Sequence, residues 1–178
     1  MTTQSQTKWA IDPMHSEITF KVKHLMISTV SGKFEKFNAE ITSGDEFENA
    51  HVSFTADVNS INTGNEQRDG HLKSDDFFNS EAFPHISFKS TEFKKAGSNF
   101  KLIGDLTIRD VTKQVELDVT YNGKMVDPYG NEKAGFEVEG KINRKDFKLN
   151  WSVTTEAGGI VVSDEVKIHC NVQFAKQA

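Results

Sequence analysis

The sequence predicts an all-β domain of eight short antiparallel strands, folded as a sandwich or barrel, with one partly helical segment over an end. Three observations predict it. Apolar and polar residues alternate with period two in eight separate stretches, as half-buried strands require. Turn-forming clusters separate most of these stretches. One stretch, residues 61–84, breaks the alternation.

In chain order, Ile18, Phe20 and Val22 alternate with Glu17, Thr19, Lys21 and Lys23. Phe37, Ala39 and Ile41 repeat the pattern, then Val52, Phe54, Ala56 and Val58, then Ile86 and Phe88. Phe100, Leu102, Leu106 and Ile108 follow, interrupted by Gly104. Val115, Leu117, Val119 and Tyr121 come next, then Phe136, Val138 and Ile142 with Gly140 among them. Val166, Ile168, Cys170, Val172 and Phe174 close the series. The turns are Ser43-Gly44-Asp45, Ala96-Gly97-Ser98-Asn99, Asn122-Gly123 and Asp127-Pro128-Tyr129-Gly130. Regular short strands with such turns mark an all-β sandwich or barrel.

Within the exceptional stretch, Asn62, Thr63 or Asn65 can cap a short helix, and Ser74 a second turn through Phe78. On a helix, Arg68, His71 and Leu72 share a face, and Asp69 either pairs with Lys73 at ion-pair spacing or orients Arg68 or caps a turn. Phe77, Phe78 and Phe83 are too apolar for an ordinary surface loop, so the segment is expected to close one barrel end as a lid.

The 178 residues suit one domain spanning the chain, with residues 1–7 as a flexible lead. Fourteen Phe supply an apolar interior although hydrophobic residues make up only 36%. A net charge of −5 disfavours nucleic acid, unless a local basic patch exists, and disfavours charge-driven attachment to anionic membranes. The lone Cys170 excludes an internal disulfide and fits a reducing compartment. Residues 1–8 lack the features of a secretory signal, and no apolar stretch is long enough to span a bilayer. The reading is a cytoplasmic protein without membrane insertion.

An eight-stranded barrel is either just filled by its side chains or able to hold one small ligand. Strands of about nine residues, tilted by about 40°, give a barrel about 23 Å tall, a height suited to a chain-like ligand. Alternation is the same for a filled and a hollow barrel.

The residues themselves carry a resemblance. It opens at Trp9-Ala10-Ile11-Asp12-Pro13 with His15-Ser16, and continues through Phe20 to Leu25 and Gly32-Lys33-Phe34. Its most distinctive block is Thr63-Gly64-Asn65, Arg68-Asp69, His71-Leu72 and Phe77-Phe78. Phe83-Pro84, Gly104 to Ile108, Val111-Thr112-Lys113, Asn143-Arg144, Asp146-Phe147 and Ser163-Asp164 follow. In this order and spacing the sequence resembles the YceI-like family of bacterial lipocalin-like proteins. The resemblance implies an extended eight-stranded antiparallel barrel with an elongated apolar pocket. It also implies a long lipid tail as ligand, such as an isoprenoid quinone or polyprenyl phosphate or pyrophosphate, no cofactor besides that lipid, and a homodimer. Asp110 and Lys148 stand where the family pattern has glycine, which puts local turn geometry and rim contacts in question. Many relatives carry an export signal.

The residues assigned to the pocket are Ile18, Phe20, Val22, His24, Val52, Phe54, Phe77, Phe78, Ile86, Phe88, Leu102, Leu106, Val115, Leu117, Phe136, Val138, Trp151 and Ile168, with Gly158-Gly159 near its end. Arg68, Asp69 and His71 are assigned to the mouth. Arg68 is suited to a pyrophosphate or carbonyl, or to anchoring the lid. His24 is either a head-group partner or a rim histidine satisfied by backbone or water. The six histidines lack metal-ligand spacing, so no metal is expected. Cys170 reads as a small buried hydrophobe. Three functions compete: lipid carriage, with a fatty acid or fatty amide as the alternative cargo; an enzyme acting on a lipid-like substrate through His24 and Asp69; and a packed interaction module. If Phe20 and Phe54 face a lipid, Phe20→Asp or Phe54→Asp abolishes lipid copurification in the folded protein; unchanged binding removes the inward assignment.

Overall fold

The computed structural model describes residues 6–151 and 162–177. Eleven antiparallel segments share one sheet. They are β1 (Thr7–Ile11), β2 (Glu17–His24), β3 (Ser28–Phe34), β4 (Phe37–Ser43), β5 (His51–Asp57), β6 (Ile61–Asn62), β7 (His85–Ala96), β8 (Asn99–Ile108), β9 (Val111–Val126), β10 (Glu132–Asn143) and β11 (Val162–Lys176). These make eight barrel strands, because β1 with β2, β3 with β4, and β5 with β6 are halves of three long bent strands. Each strand pairs with the next along the chain. The last returns to the first through Trp9↔Lys176, Ala10↔Ala175 and Ile11↔Phe174, which closes the ring. The architecture is therefore the barrel, and each alternating stretch of the sequence falls within one barrel strand. Thr7 already belongs to β1; the rest of the expected flexible lead lies largely outside the described residues.

The first bent strand shows how sequence sets the break. Pro13 has no N–H for the ladder, and the Asp12 side chain accepts from the Met14 N–H at 3.0 Å to cap a single turn over Pro13–His15. Across the barrel wall, Lys133 Nζ reaches Asp12 Oδ2 at 2.8 Å, and His15 Nδ1 lies 2.8 Å from the same oxygen.

One barrel end is plugged. Phe47, on the loop after β4, is 3% exposed and packs against Trp9, Tyr121 and Phe136 at ring-centroid distances of 5.3, 5.5 and 5.1 Å. The other end carries the irregular segment. Its helix α1 (Glu66–Lys73) is capped by Asn65, whose side chain accepts from the Arg68 N–H at 3.0 Å. Ser74 ends this helix, its N–H and Oγ both donating to the His71 carbonyl, and begins the expected second turn: residues 75–78 form turns, and the Phe77 N–H donates to the Ser74 carbonyl at 3.0 Å. No helix among the described residues is long and apolar enough to cross a membrane.

The Lys133 hydrogen bond, helped by His15 and the Met14 N–H against the opposing effect of burial, holds the Asp12 carboxyl at about 2 instead of 3.8. A carboxyl lowered in the folded state stabilises the fold fully above its unfolded value and loses that contribution as pH falls through its folded one. The difference corresponds to about 2 kcal/mol. Asp12→Asn is therefore expected to lower the urea midpoint at neutral pH and to flatten the stability loss between about pH 4 and pH 2. An unaltered acid limb in the variant would show that Asp12 carries no such coupling.

Candidate functional site

Between plug and lid lies a cavity of about 610 Å³. Packed interiors hold few voids larger than a water molecule, and ligand sites run from about 300 to 1,000 Å³, so this volume is a built space. Every apolar residue assigned to the pocket from the sequence lines it, from Ile18 and Phe20 on β2 to Phe88 on β7, Leu117 on β9, Trp151 and Ile168. Gly158 and Gly159 lie outside the described residues.

The hollow depends on glycine at inward positions. Phe20 stands opposite Gly32 on β3, and a Cβ on that glycine would lie 2.3 Å from the Phe20 Cζ. The Phe88 ring covers Gly104 in the same way, at 2.6 Å from its virtual Cβ. Large rings thus lie along the wall across a residue with no side chain, and the lumen stays open.

The polar lining concentrates at the lidded end. Lys23 and His24 close β2; Thr63, Asn65, Gln67, Arg68 and His71 come from the lid; Arg144 follows β10. No Asp or Glu is among the described residues that line the cavity, although Asp and Glu outnumber Lys and Arg in the chain, 26 to 21.

Arg68 is held by Thr63: its Nε donates to Thr63 Oγ1 and its Nη2 to the Thr63 carbonyl, both at 2.7 Å. Asp69 accepts from the Thr63 hydroxyl at 2.6 Å and from the Thr63 N–H at 2.9 Å. This corrects two expectations. Asp69 does not pair with Lys73, and it does not line the cavity; it orients Arg68 through Thr63. The short reach of an Asp side chain favours the nearby backbone N–H over a solvated lysine. Consequently Asp69 and His24 are not assembled as an acid–base pair. His71 lines the cavity, stacks edge-on to Trp151 at 4.9 Å, and places Nε2 2.8 Å from Asp76.

Two arginines escaped the sequence reading. Arg144 is 2% exposed and donates to the carbonyls of Leu149 (2.5 Å), Trp151 (2.7 Å), Ser163 (2.9 Å) and Val162 (3.2 Å). Burial lowers its pKa, against the raising effect of Asp164, yet a guanidinium stays protonated. Arg109, between β8 and β9, donates to the carbonyls of Asp75 and Phe77 at 2.9 and 2.8 Å and pairs with the Asp75 carboxylate at 3.0 Å. It latches the lid to the rim. Asn143-Arg144 carried only a sequence resemblance, and nothing in the local pattern marks Arg109.

The two departures from the family pattern meet. Lys148 has a left-handed backbone, φ 63°, where glycine is at ease, and its Nζ lies 3.0 Å from Asp110 Oδ2. That hydrogen bond lowers the Asp110 pKa. The rim turn is retained, and an ion pair joins it to the β8–β9 turn. Cys170 lies half-buried on the cavity wall, where burial pushes its thiol up to about 12. Among the described residues no three His, Cys, Asp or Glu side chains converge to hold a metal.

A model of the YceI-like domain matches residues 9–174. The chain belongs to the YceI-like family. Its relatives include the UPF0312 protein SAS2572 of Staphylococcus aureus, 37% identical over 95% of this chain and 98% of that protein. A YceI protein of Campylobacter jejuni superposes with a TM-score of 0.74 at 34% identity, covering 88% of this chain and 90% of that one. BcnA of Burkholderia cenocepacia shares the fold, with a TM-score of 0.78 at 23% identity over 92% and 98% of the two chains. So does a polyisoprenoid-binding domain of Saccharophagus degradans, at 0.65 and 14% over 95% and 98%. In this YceI-like barrel the inward glycines should differ in their tolerance. Gly104→Ala places a Cβ 2.4 Å from the Lys89 carbonyl oxygen, so backbone must move. We expect a loss of about 1–3 kcal/mol in urea denaturation. The three atoms nearest a Gly32→Ala Cβ all belong to the Phe20 ring, which can swing into the lumen. It should cost less stability but shorten the longest chain retained; equal stability losses at both sites would contradict this account of the wall.

Proposed function

We propose that the protein is a non-enzymatic carrier that holds the tail of a long-chain isoprenoid in the barrel and its head group at the Arg68 rim. The observation that carries this reading is the cavity's polarity: a continuous apolar wall that ends in a rim of cationic and neutral donors with no carboxylate among the described residues. Burial of hydrocarbon drives binding at about 25 cal/mol per Å², reduced by the cost of ordering the chain. Donors at the rim set orientation. They favour an anionic or electron-rich head, such as a phosphate, pyrophosphate or quinone. A fatty acid or fatty amide satisfies the same polarity, and the polyisoprenoid-binding neighbour favours the isoprenoid. Carriage is preferred to turnover because Asp69 is committed to Thr63. We read the protein as a cytoplasmic homodimer; sedimentation at several concentrations tests the assembly.

Native mass spectrometry of protein from its own host, followed by organic extraction, tests the carrier. A copurifying isoprenoid is expected; its absence, or a fatty acid in its place, overturns the cargo assignment. Arg68→Ala is expected to weaken anionic head groups by about tenfold or more, and neutral ones less, because a charge-assisted bond is worth about 1.5–3 kcal/mol. Equal losses for both remove Arg68 from the head-group role.

A further inference from the structure

The β2–β3 hairpin borders the mouth. β2 and β3 meet at a tight turn, Leu25-Met26-Ile27, whose side chains are 39%, 62% and 84% exposed. The turn is built, not frayed: the Ile27 N–H and the Ser28 Oγ both donate to the His24 carbonyl, at 3.2 and 3.3 Å. It is continuous with the cavity, since Val22, His24 and Val30 on its two arms line the lumen. Three adjacent large apolar side chains in water are unusual in an isolated soluble domain.

Behind this tip, the outer face carries a row of lysines. Lys21 on β2 stands opposite Lys167 on β11, which stands opposite Lys141 on β10. All three are exposed. Like charges directly across a sheet are unfavourable, so the row needs an explanation. Lys141 lies 3.9 Å from Glu165; Lys21 and Lys167 have no carboxylate within 4.0 Å among the described residues. Lys21 sits four residues behind Leu25, which is about 13 Å of strand, or about 10 Å along the barrel axis at a tilt of about 40°. Apolar groups of interfacial proteins enter about 5–10 Å into the head-group and acyl boundary. A tip at that depth brings the lysine row to the lipid phosphates.

We propose that Leu25–Ile27 and the row Lys21, Lys167 and Lys141 form a docking surface for an anionic phospholipid bilayer, which holds the cavity mouth against the membrane. No segment spans; attachment is shallow and local, on a protein whose net charge of −5 would otherwise oppose it. Charge separates this tip from a second apolar turn at the plugged end. Met125, Val126 and Tyr129 are 78%, 65% and 89% exposed, but there Lys124 is paired with Glu46 and Glu132, and Asp127 lies in the turn itself. The purpose, loading a lipid from the bilayer, rests on the carrier reading; the docking does not.

Cosedimentation of the full chain with vesicles of phosphatidylcholine and phosphatidylglycerol tests the surface. The wild type is expected to pellet, less in high salt and less with phosphatidylcholine alone. Met26→Asp with Ile27→Asp, and separately Lys21→Glu with Lys167→Glu, should each reduce vesicle affinity about tenfold or more. These residues are exposed and do not line the cavity, so an unchanged urea midpoint confirms intact variants. A wild type that stays in the supernatant, or a tip variant that pellets like wild type, overturns the proposal. So does a tip variant whose only change is from dimer to monomer, which assigns the tip to a second copy. Wild type that pellets yet never holds a lipid overturns the carrier reading and leaves docking standing.

Discussion

Closure of the hydrogen-bonded ring is the constraint on which the rest depends. In an open sheet or a helical bundle, interior side chains hold the elements at their spacing. Here the ladder itself sets the diameter: β1 pairs with β11, and each of the eight barrel strands is hydrogen-bonded to a neighbour on both sides along part of its length. The interior is therefore relieved of its usual structural task, and inward positions can be glycine, as at Gly32, Gly104 and Gly140, without loss of the frame.

The two ends use this freedom differently. At one, Phe47 folds in from a loop and makes an aromatic plug with Trp9, Tyr121 and Phe136. At the other, the chain crosses the opening as α1 and the turns after it, held by hydrogen bonds that are mostly side chain to backbone. Asp69 fixes Thr63, Thr63 fixes Arg68, and Arg109 fixes the carbonyls beyond the helix. The plug is made of packed rings, whereas the strap combines polar ties with apolar anchors: Phe77 is 6% exposed and lies 5.5 Å from the Trp151 ring, and Phe78 lies 6.1 Å from Phe34. The polar groups that line the cavity belong largely to the strap end.

Much of the barrel was legible in the sequence because side-chain parity is a local property. Phe20 and Val22 point inward whatever the rest of the chain does, and each alternating stretch became one barrel strand. β1 was hidden by its length, and β3 because Ser28, Ser31 and Lys33 around Val30 and Gly32 leave little apolar signal. That Asp69 could orient Arg68 was legible as one alternative; its route through Thr63 was not, because ion-pair spacing on a helix says nothing of the free N–H six residues earlier. Arg109, Arg144 and the lysine row share a deeper obstacle. Their meaning lies in contacts between residues 21, 141 and 167, or 109 and 75, that no window along the chain contains.

The Cys170 thiol bears on what can be kept inside. Burial pushes its pKa up to about 12, so at neutral pH the sulfur is held as the thiol. Michael acceptors and other soft electrophiles add to thiolates, not to thiols. A protein that enclosed an enone or a quinone beside an ordinary cysteine would alkylate itself during long residence. Cys170, on the cavity wall and held as the thiol by burial, presents to the lumen an inert, hydrocarbon-like surface.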